Sequence, residues 1–562
     1  MQKMASILKS LEIKNFKGFS ETVRIELRPI TLLFGANSAG KSSVLQALQY
    51  VREILERGNT NPDRTQQGGE AVDLGGFLNL VHGRDPEKRI EVEVEMELGD
   101  TSIPELVPEA FDEWQTSEQN VWDIYDTLQA VRRKMERVSV RLIIGWSAVR
   151  ETAVVVGYHV GANGQWCVEI NASADGRDVT MRINPDNSIF ESDELDKISA
   201  EFPGLDGWLT AEELSGLIHE EDHETTLSDS TSVLPGVLYA VREAGMEKPG
   251  QGLRAWLNGF RGALPNLDRM LEIPVVGASG ASNVYICREF TAFLSWLTIG
   301  PAMLLRDQLK TARYVGPLRR IPPRAFDISL TKSESAWSDG MAAWESLLTS
   351  SQVMVKRCSD WMQRSDRLNT GYGLRRSQVR EHDADTGQPC GRVRSRITLV
   401  DQKGLTHQPQ DVGVGISQIL PIVVAAQDDR ASIISVEQPE LHVHPAIQVG
   451  LGDLFIDGAL ERGLSFILET HSEHLILRLL RRIRESTSGD LPDGLPQVTP
   501  EILAVYFLDK ANGAINAIKL PVDENGEFKE NWPRGFFDER IAEFFGPTPE
   551  DIDEQLSKLF PA

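Results

Sequence analysis

Cysteine is scarce. The 562 residues include four, Cys167, Cys287, Cys358 and Cys390, far apart along the chain, and that number and spacing make neither a disulfide framework nor a zinc site. A reducing cytoplasm is the compartment they fit. Long apolar runs are missing too: the stretch from Phe293 to Leu305 is broken by polar residues, Gly300 and Pro301 well short of the roughly 20 residues a bilayer-spanning helix requires. No transmembrane segment is expected. The first ten residues lack an apolar core followed by a small-residue cleavage site, so no secretory leader is read. Positive charge is in deficit, with 58 Lys and Arg against 83 Asp and Glu, a net charge of -25. Such a body repels a nucleic-acid backbone, and contact with nucleic acid would need a local basic groove or a partner.

What is present has the balance of a packed protein, 41% hydrophobic and 25% charged, in a chain too long for one ordinary core. Two or three domains, or one with a large insertion, are expected. Alternation predicts strands over Ser6 to Ile13 and Val23 to Leu27, an apolar strand over Ile30 to Phe34, and a helix over Ser42 to Leu55. Ile90 to Leu98 alternates strictly and reads as a half-buried strand. Strand patterns recur over Val138 to Val155 and Gln165 to Ile170, followed by an acidic stretch, Glu191 to Glu224, read as a solvated face or arm. A helix is expected over Phe290 to Thr311, and Gly316-Pro317 and Pro322-Pro323 mark the return to a second structured region. There the order is strand Arg394 to Val400, a glycine-broken segment Asp411 to Gln418, a helix to about Gln427, then strands Ser432 to Val436 and Leu464 to Leu468. Strands alternating with helices imply a parallel sheet covered on both faces.

The strongest chemical signal is Gly35-Ala-Asn-Ser-Ala-Gly-Lys-Ser42, a G-x-x-x-x-G-K-[ST] string set between an apolar strand and a helix. Gly35, Asn37, Ser38, Ala39, Gly40 and Ser43 lie in a loop whose amides can turn around phosphate at a helix N-terminus. Lys41 can reach the terminal phosphates of ATP and Ser42 can ligate Mg2+. Far downstream, Ser432-Ile-Ile-Ser-Val436 runs into Glu437-Gln-Pro-Glu-Leu-His442, where a carboxylate can join the magnesium shell beside Ser42. Phe466-Ile-Leu468 ends at Glu469-Thr-His471, and Gly413-Val-Gly-Ile-Ser-Gln418 offers glycines, a hydroxyl and an amide at a helix start.

Together with Leu11-Glu-Ile-Lys-Asn-Phe-Lys-Gly18, these elements resemble the ABC-type ATPase heads of the SMC, RecF and overcoming-lysogenization-defect families. The resemblance covers roughly residues 1 to 98 and 311 to 475. It implies an α/β ABC/SMC-like P-loop ATPase head interrupted by a large mixed α+β insertion. Residues 1–98 would form the N-terminal lobe, 99–310 the insertion, and 311–562 the C-terminal lobe. It further implies ATP contacts from Asn15 and Lys17, a metal shell with Glu437, and a switch histidine, His471. Gly413, Gly415, Ser417 and Gln418 would act as the signature segment of a second subunit, closing over the γ-phosphate in a homodimer or higher oligomer.

One position departs from that pattern. Where most such heads carry Asp-Glu, the second acid being the proposed general base, this chain has Glu437-Gln438. An amide can position water but cannot take its proton, and losing a general base typically costs ~10²- to 10⁴-fold in rate. Slow ATP hydrolysis is expected, with Glu440 or His471 as substitute base, or Glu437 as base while water completes the metal shell; an ordinary ATPase using Glu440 is the alternative. Glu437-Gln-Pro-Glu-Leu-His-Val-His-Pro445, Tyr314-Val-Gly-Pro-Leu-Arg319 and Trp532-Pro-Arg-Gly-Phe-Phe-Asp538 resemble more closely the ATPases of Septu and some retron phage-defence systems. That likeness implies a separate nuclease partner, HNH-type in Septu-like systems. A RecF-like or SMC-like repair ATPase binding DNA directly is the alternative, and a transport ATPase is disfavoured.

Other constellations carry less. His442 and His444 stand two apart but are read as loop residues before metal ligands, and His474 as a surface residue. Asp186, Asp193 and Asp196 have no strand context, so no intrinsic nuclease is expected. Arg313, Arg319, Arg320 and Arg324, and Arg478, Arg481, Arg482 and Arg484, are read first as solvated or acid-paired charges. Trp532, Phe536 and Phe537 are read as a core staple.

Overall fold

The computed structural model describes residues 7–62, 74–104, 106, 128–129, 131–184, 186–190, 262–271, 281–324, 337–511 and 513–533. The acidic stretch 191–224, Asp193, Asp196, Phe536 and Phe537 lie outside the described residues.

Strand β1 (Leu8–Lys14) pairs antiparallel with β2 (Val23–Glu26). The chain then leaves for β3 (Ile30–Gly35), buried at every position, and helix α1 (Lys41–Arg57). Returning as β4 (Ile90–Glu97), it pairs with β1 and alternates buried and partly exposed residues, as its sequence predicts. β5 (Arg137–Ser147), β6 (Thr152–Ala162), β7 (Gln165–Ala172) and β8 (Val179–Ile183) continue the same sheet by antiparallel pairing. The order is β2-β1-β4-β5-β6-β7-β8. This first sheet therefore crosses the boundary expected at residue 98, because β4 pairs with β5 along its whole length. α2 (Ala281–Lys310) also packs back against α1 and β5.

The second half supplies β9 (Arg313–Val315), α3 (Met341–Thr349) and α4 (Gln352–Gln363). A three-stranded sheet follows, built by β10 (Tyr372–His382), β11 (Pro389–Asp401) and β12 (Thr406–His407). α5 (Val414–Gln427), β13 (Ile433–Glu437), α6 (Pro445–Leu460), β14 (Ser465–Glu469), α7 (Glu473–Ser488), β15 (Leu503–Ala511) and β16 (Ala514–Lys519) complete the order. The central sheet runs β16-β15-β3-β14-β13-β9, parallel except for the β15–β16 hairpin. It joins β3 from the first hundred residues to strands more than four hundred residues later, the parallel arrangement the sequence implies.

Side chains alternate across this sheet into two cores. Leu33, Ile433, Ile467 and Tyr506 face the antiparallel sheet and α2, whereas Leu32, Phe34, Ile434, Phe466 and Leu468 face α3 to α7. Each such Leu, Ile or Phe contributes about 1.5–3 kcal/mol by leaving water. A strand with both faces covered can expose function only at its ends, and the carboxyl ends of β3, β14 and β13 lie side by side.

Candidate functional site

β3 ends in Gly35, whose φ of +139° brings its Cα against the β15 backbone; a Cβ there would sit 2.3 Å from the Leu508 carbonyl oxygen. No side chain fits, so the glycine is a steric demand of the loop. Asn37 and Ser38 form the exposed crest, Ala39 is buried, and Gly40 stands as N-cap of α1. Lys41 is only 3% exposed. Its ammonium donates to the carbonyls of Gly35 and Ala36, each at 2.9 Å, and burial lowers its pKa. The Ser43 amide donates to Gly40 O at 3.1 Å, closing the first helical turn. The expected loop is therefore formed, with its lysine folded onto the rim.

Parallel register pairs Glu437 of β13 with Glu469 of β14. The two carboxylates are 8% and 6% exposed. Ser42 Oγ donates to Glu469 Oε2 at 2.6 Å, and the Tyr314 hydroxyl donates to Glu437 Oε1 at 2.5 Å. Burial pushes both carboxyls up, and the Glu469 charge adds to the rise at Glu437. Two buried carboxylates beside a hydroxyl are hard oxygen donors in need of positive charge, which fits Mg2+ shared with phosphate oxygens. Glu469 went unread in the sequence. Its signal was present as the acid ending an apolar strand, but only the β13–β14 register shows that it faces Ser42.

Gln438 follows with φ +45° and donates its backbone N–H to Glu469 O at 2.8 Å. Glu440 has both oxygens engaged: Oε2 accepts from the Thr470 hydroxyl at 2.8 Å and Oε1 from the His471 amide at 2.7 Å. Both contacts make Glu440 a brace of the β14 exit, which competes with the role of substitute base expected for it. His471 has a buried Nε2 without a partner among the described residues, and its pKa is lowered by burial and then by Lys41. A neutral imidazole therefore sits by the loop lysine.

The glycine-bearing segment divides in two. Gly413 and Val414 are exposed at the start of α5. A Cβ on Gly415 would meet His442 O at 2.6 Å, so this helix start lies against the loop after β13. Ser417 is only 1% exposed and donates to Pro409 O at 3.3 Å; Gln418 is buried against Arg319. The trans contacts expected of Ser417 and Gln418 are thus unavailable in this conformation, because both side chains brace the interior. The Asn15 amide donates to Arg89 O at 3.0 Å. Lys17 donates to Gln46 of α1 and its charge reaches Glu437.

The remaining clusters are structural. Arg313 pairs with Asp428, Arg320 with Asp339, and Arg324 with Asp411; Arg478 and Arg482 pair with Asp453, and Arg481 with Glu485. Arg319 departs from the expected solvated or acid-paired charges: it is 3% exposed and donates to the backbone carbonyls of Glu437 and Gln438. His444 Nδ1 accepts from Ala446 N at 3.2 Å as the N-cap of α6, and no group of three or more His, Cys, Asp or Glu placed to hold a metal occurs among the described residues. Trp532 packs edge-on to Phe34 and Phe528. No described helix is long and apolar enough to cross a membrane.

Comparison with known proteins separates the two halves of the site. Residues 7–133 match an AAA ATPase domain. Residues 325–478 match an AAA domain described as a putative AbiEii toxin of a Type IV TA system. Residues 498–544 match a protein family of unknown function, DUF3696. No curated protein sequence matches. Solved structures that align over 92% of this chain include the Smc head domain with an extended coiled coil from Pyrococcus furiosus, bound to the C-terminal domain of ScpA, with 12% identity, 96% of that chain covered and a TM-score of 0.37. The SMC head domain from Thermotoga maritima aligns over the same share, with 9% identity, 100% of that chain covered and a TM-score of 0.35.

Proposed function

Because the chain carries an α/β P-loop ATPase domain of the AAA type, split across its two halves, we propose that it is an ATP-held switch. It binds ATP with Mg2+, hydrolyses it slowly, pairs with a second copy around nucleotide, and governs a separate nuclease in phage defence. The observation that carries the slow-hydrolysis reading is the amide of Gln438 in the position of the usual base, beside a Glu440 whose two oxygens already accept from Thr470 and His471. The usual base is replaced, and its nearest substitute serves to brace the exit of β14.

In this reading the loop amides and Lys41 hold the β- and γ-phosphates, and Ser42, Glu437 and Glu469 hold the metal. Bound magnesium neutralises the charge of those phosphates. Gln438 orients the attacking water without accepting its proton. His471, kept neutral, offers its unpartnered Nε2 to the γ-phosphate. The exposed start of α5, with Gly413 and Gly415, closes over the nucleotide of the second copy, where the helix N-terminus favours negative charge. Leu318 at 74% exposure and Val414 at 48% supply apolar surface for that contact. The phage-defence role and the nuclease partner rest on the Septu-like strings. The alternative of direct DNA binding has weaker support, because the arginine clusters are largely satisfied by acids.

Light-scattering mass with and without Mg-ATP tests the pairing. The wild-type mass doubles or rises further on adding ATP, and Val414→Asp, at an exposed position, stays a monomer. Identical masses under both conditions contradict the reading. Co-purification of a nuclease from the native host tests the partner, and its replacement by salt-sensitive binding of duplex DNA to the isolated chain would favour the repair reading.

A further inference from the structure

Arg319 is a buried arginine with backbone partners. Its Nη2 donates to Glu437 O at 2.6 Å and Gln438 O at 3.3 Å, both at the end of β13. Its Nη1 lies 3.5 Å from Gln418 O on α5. Gln418 answers with two bonds to the Arg319 backbone: its Oε1 accepts from Arg319 N at 3.3 Å and its Nε2 donates to Arg319 O at 2.6 Å. The Arg319 Nε is buried with no partner among the described residues. A guanidinium 3% exposed, bonded among the described residues to carbonyls, with Glu440 and Glu437 only offsetting its burial through their charge, is a costly group to retain for stability alone.

Its position gives it work. One end holds Glu437, whose carboxylate accepts from Tyr314 and lies in reach of Ser42, and Gln438, the residue in the general-base position. The other end holds Gln418, the residue that follows the first turn of α5, and that turn carries Gly415 after the N-cap Gly413. That turn is weakly held by its own helix. It begins with two glycines, and Pro421 has no N–H to give to the carbonyl of Ser417. Tertiary bonds therefore set where the helix start lies, and among these the Arg319–Gln418 pair leads directly to the end of β13.

We propose that Arg319, locked to Gln418, is a coupling device: it transmits nucleotide and metal occupancy at Glu437 of one copy to the α5 start that the same copy offers to its partner. It is a positioning residue and touches no phosphate. A small shift of the β13 end on filling of the site moves two carbonyls that the rigid guanidinium fork binds together, and the fork carries that shift to α5. The inference rests on the nucleotide-held pair described above and adds how one site reports to the other.

The test uses the full chain with Mg-ATP and compares wild type with Arg319→Gln, Arg319→Lys and Gln418→Ala. ATP affinity is measured under dilute, monomeric conditions, and assembly by mass against ATP concentration. In Arg319→Gln and Gln418→Ala the ATP needed for half-assembly rises at least about tenfold more than the ATP dissociation constant does, a usual size for coupling between sites. Arg319→Lys, which still donates to Glu437 O, recovers part of the loss. Should Arg319→Gln fail to fold by its thermal midpoint, Gln418→Ala carries the comparison. Variants whose assembly and ATP affinity change in parallel, or not at all, overturn the coupling while leaving the pairing intact. A wild type that does not assemble with ATP overturns both.

Discussion

The Ser42 hydroxyl lies 2.6 Å from a carboxylate oxygen of Glu469, a contact between residues 427 positions apart. It ties the helix after the phosphate loop to the strand beside it and, in the proposed reading, gives the metal site a second carboxylate. Glu469→Gln is expected to weaken magnesium-dependent ATP binding by about 10- to 100-fold, the usual cost of removing a group that orients a metal ligand. Titrating ATP binding with Mg2+ checks this; an unchanged magnesium requirement would remove Glu469 from the site.

The same substitution should stabilise the metal-free protein at neutral pH. Burial raises the folded pKa of Glu469 above its ordinary value of 4.5. The native state then holds a proton that the unfolded chain has already released, so stability falls as pH rises from that ordinary value through the folded one. Glu469→Gln cannot ionise and escapes this loss. Its thermal midpoint without metal should exceed the wild type's at pH 7.5, with the gap closing toward pH 4.5. A gap that widens on acidification would mean the carboxylate is stabilised where it sits.

Glu440 should behave as a brace. Glu440→Ala leaves the Thr470 hydroxyl and His471 amide without their acceptor, at a cost of about 1–3 kcal/mol in urea unfolding. Glu440→Gln keeps one acceptor oxygen and should lose less stability, with turnover falling less than about tenfold, below the span of a lost base. Full stability in both variants with turnover abolished in both would make Glu440 the base.

Local chemistry made much of this legible. A glycine turn between an apolar strand and a helix defines itself within some twenty residues, so Gly35 to Ser43 could be read directly, as could β13 and β14 from their apolar runs. The pairings across those strands could not. Nothing near Glu469 in sequence says that it faces Ser42, and nothing near Arg319 says that Gln418, 99 residues later, will bury it. β10 went unread for a different reason: from Gln378 onward both its faces are exposed, so no hydrophobic alternation marks it. The first sheet's extension through β5 to β8 follows from backbone pairing, which leaves no sign in composition at residue 98.

Single-turnover ATP hydrolysis by wild type and Gln438→Glu, with Lys41→Ala as the binding-defective control, addresses the central claim most directly. Wild type should hydrolyse slowly, and Gln438→Glu should speed the chemical step by roughly 10²-fold or more, as restoring a general base does. Wild type turning over at several per second, with Gln438→Glu no faster, would place the base elsewhere and replace the ATP-held switch with a cycling ATPase.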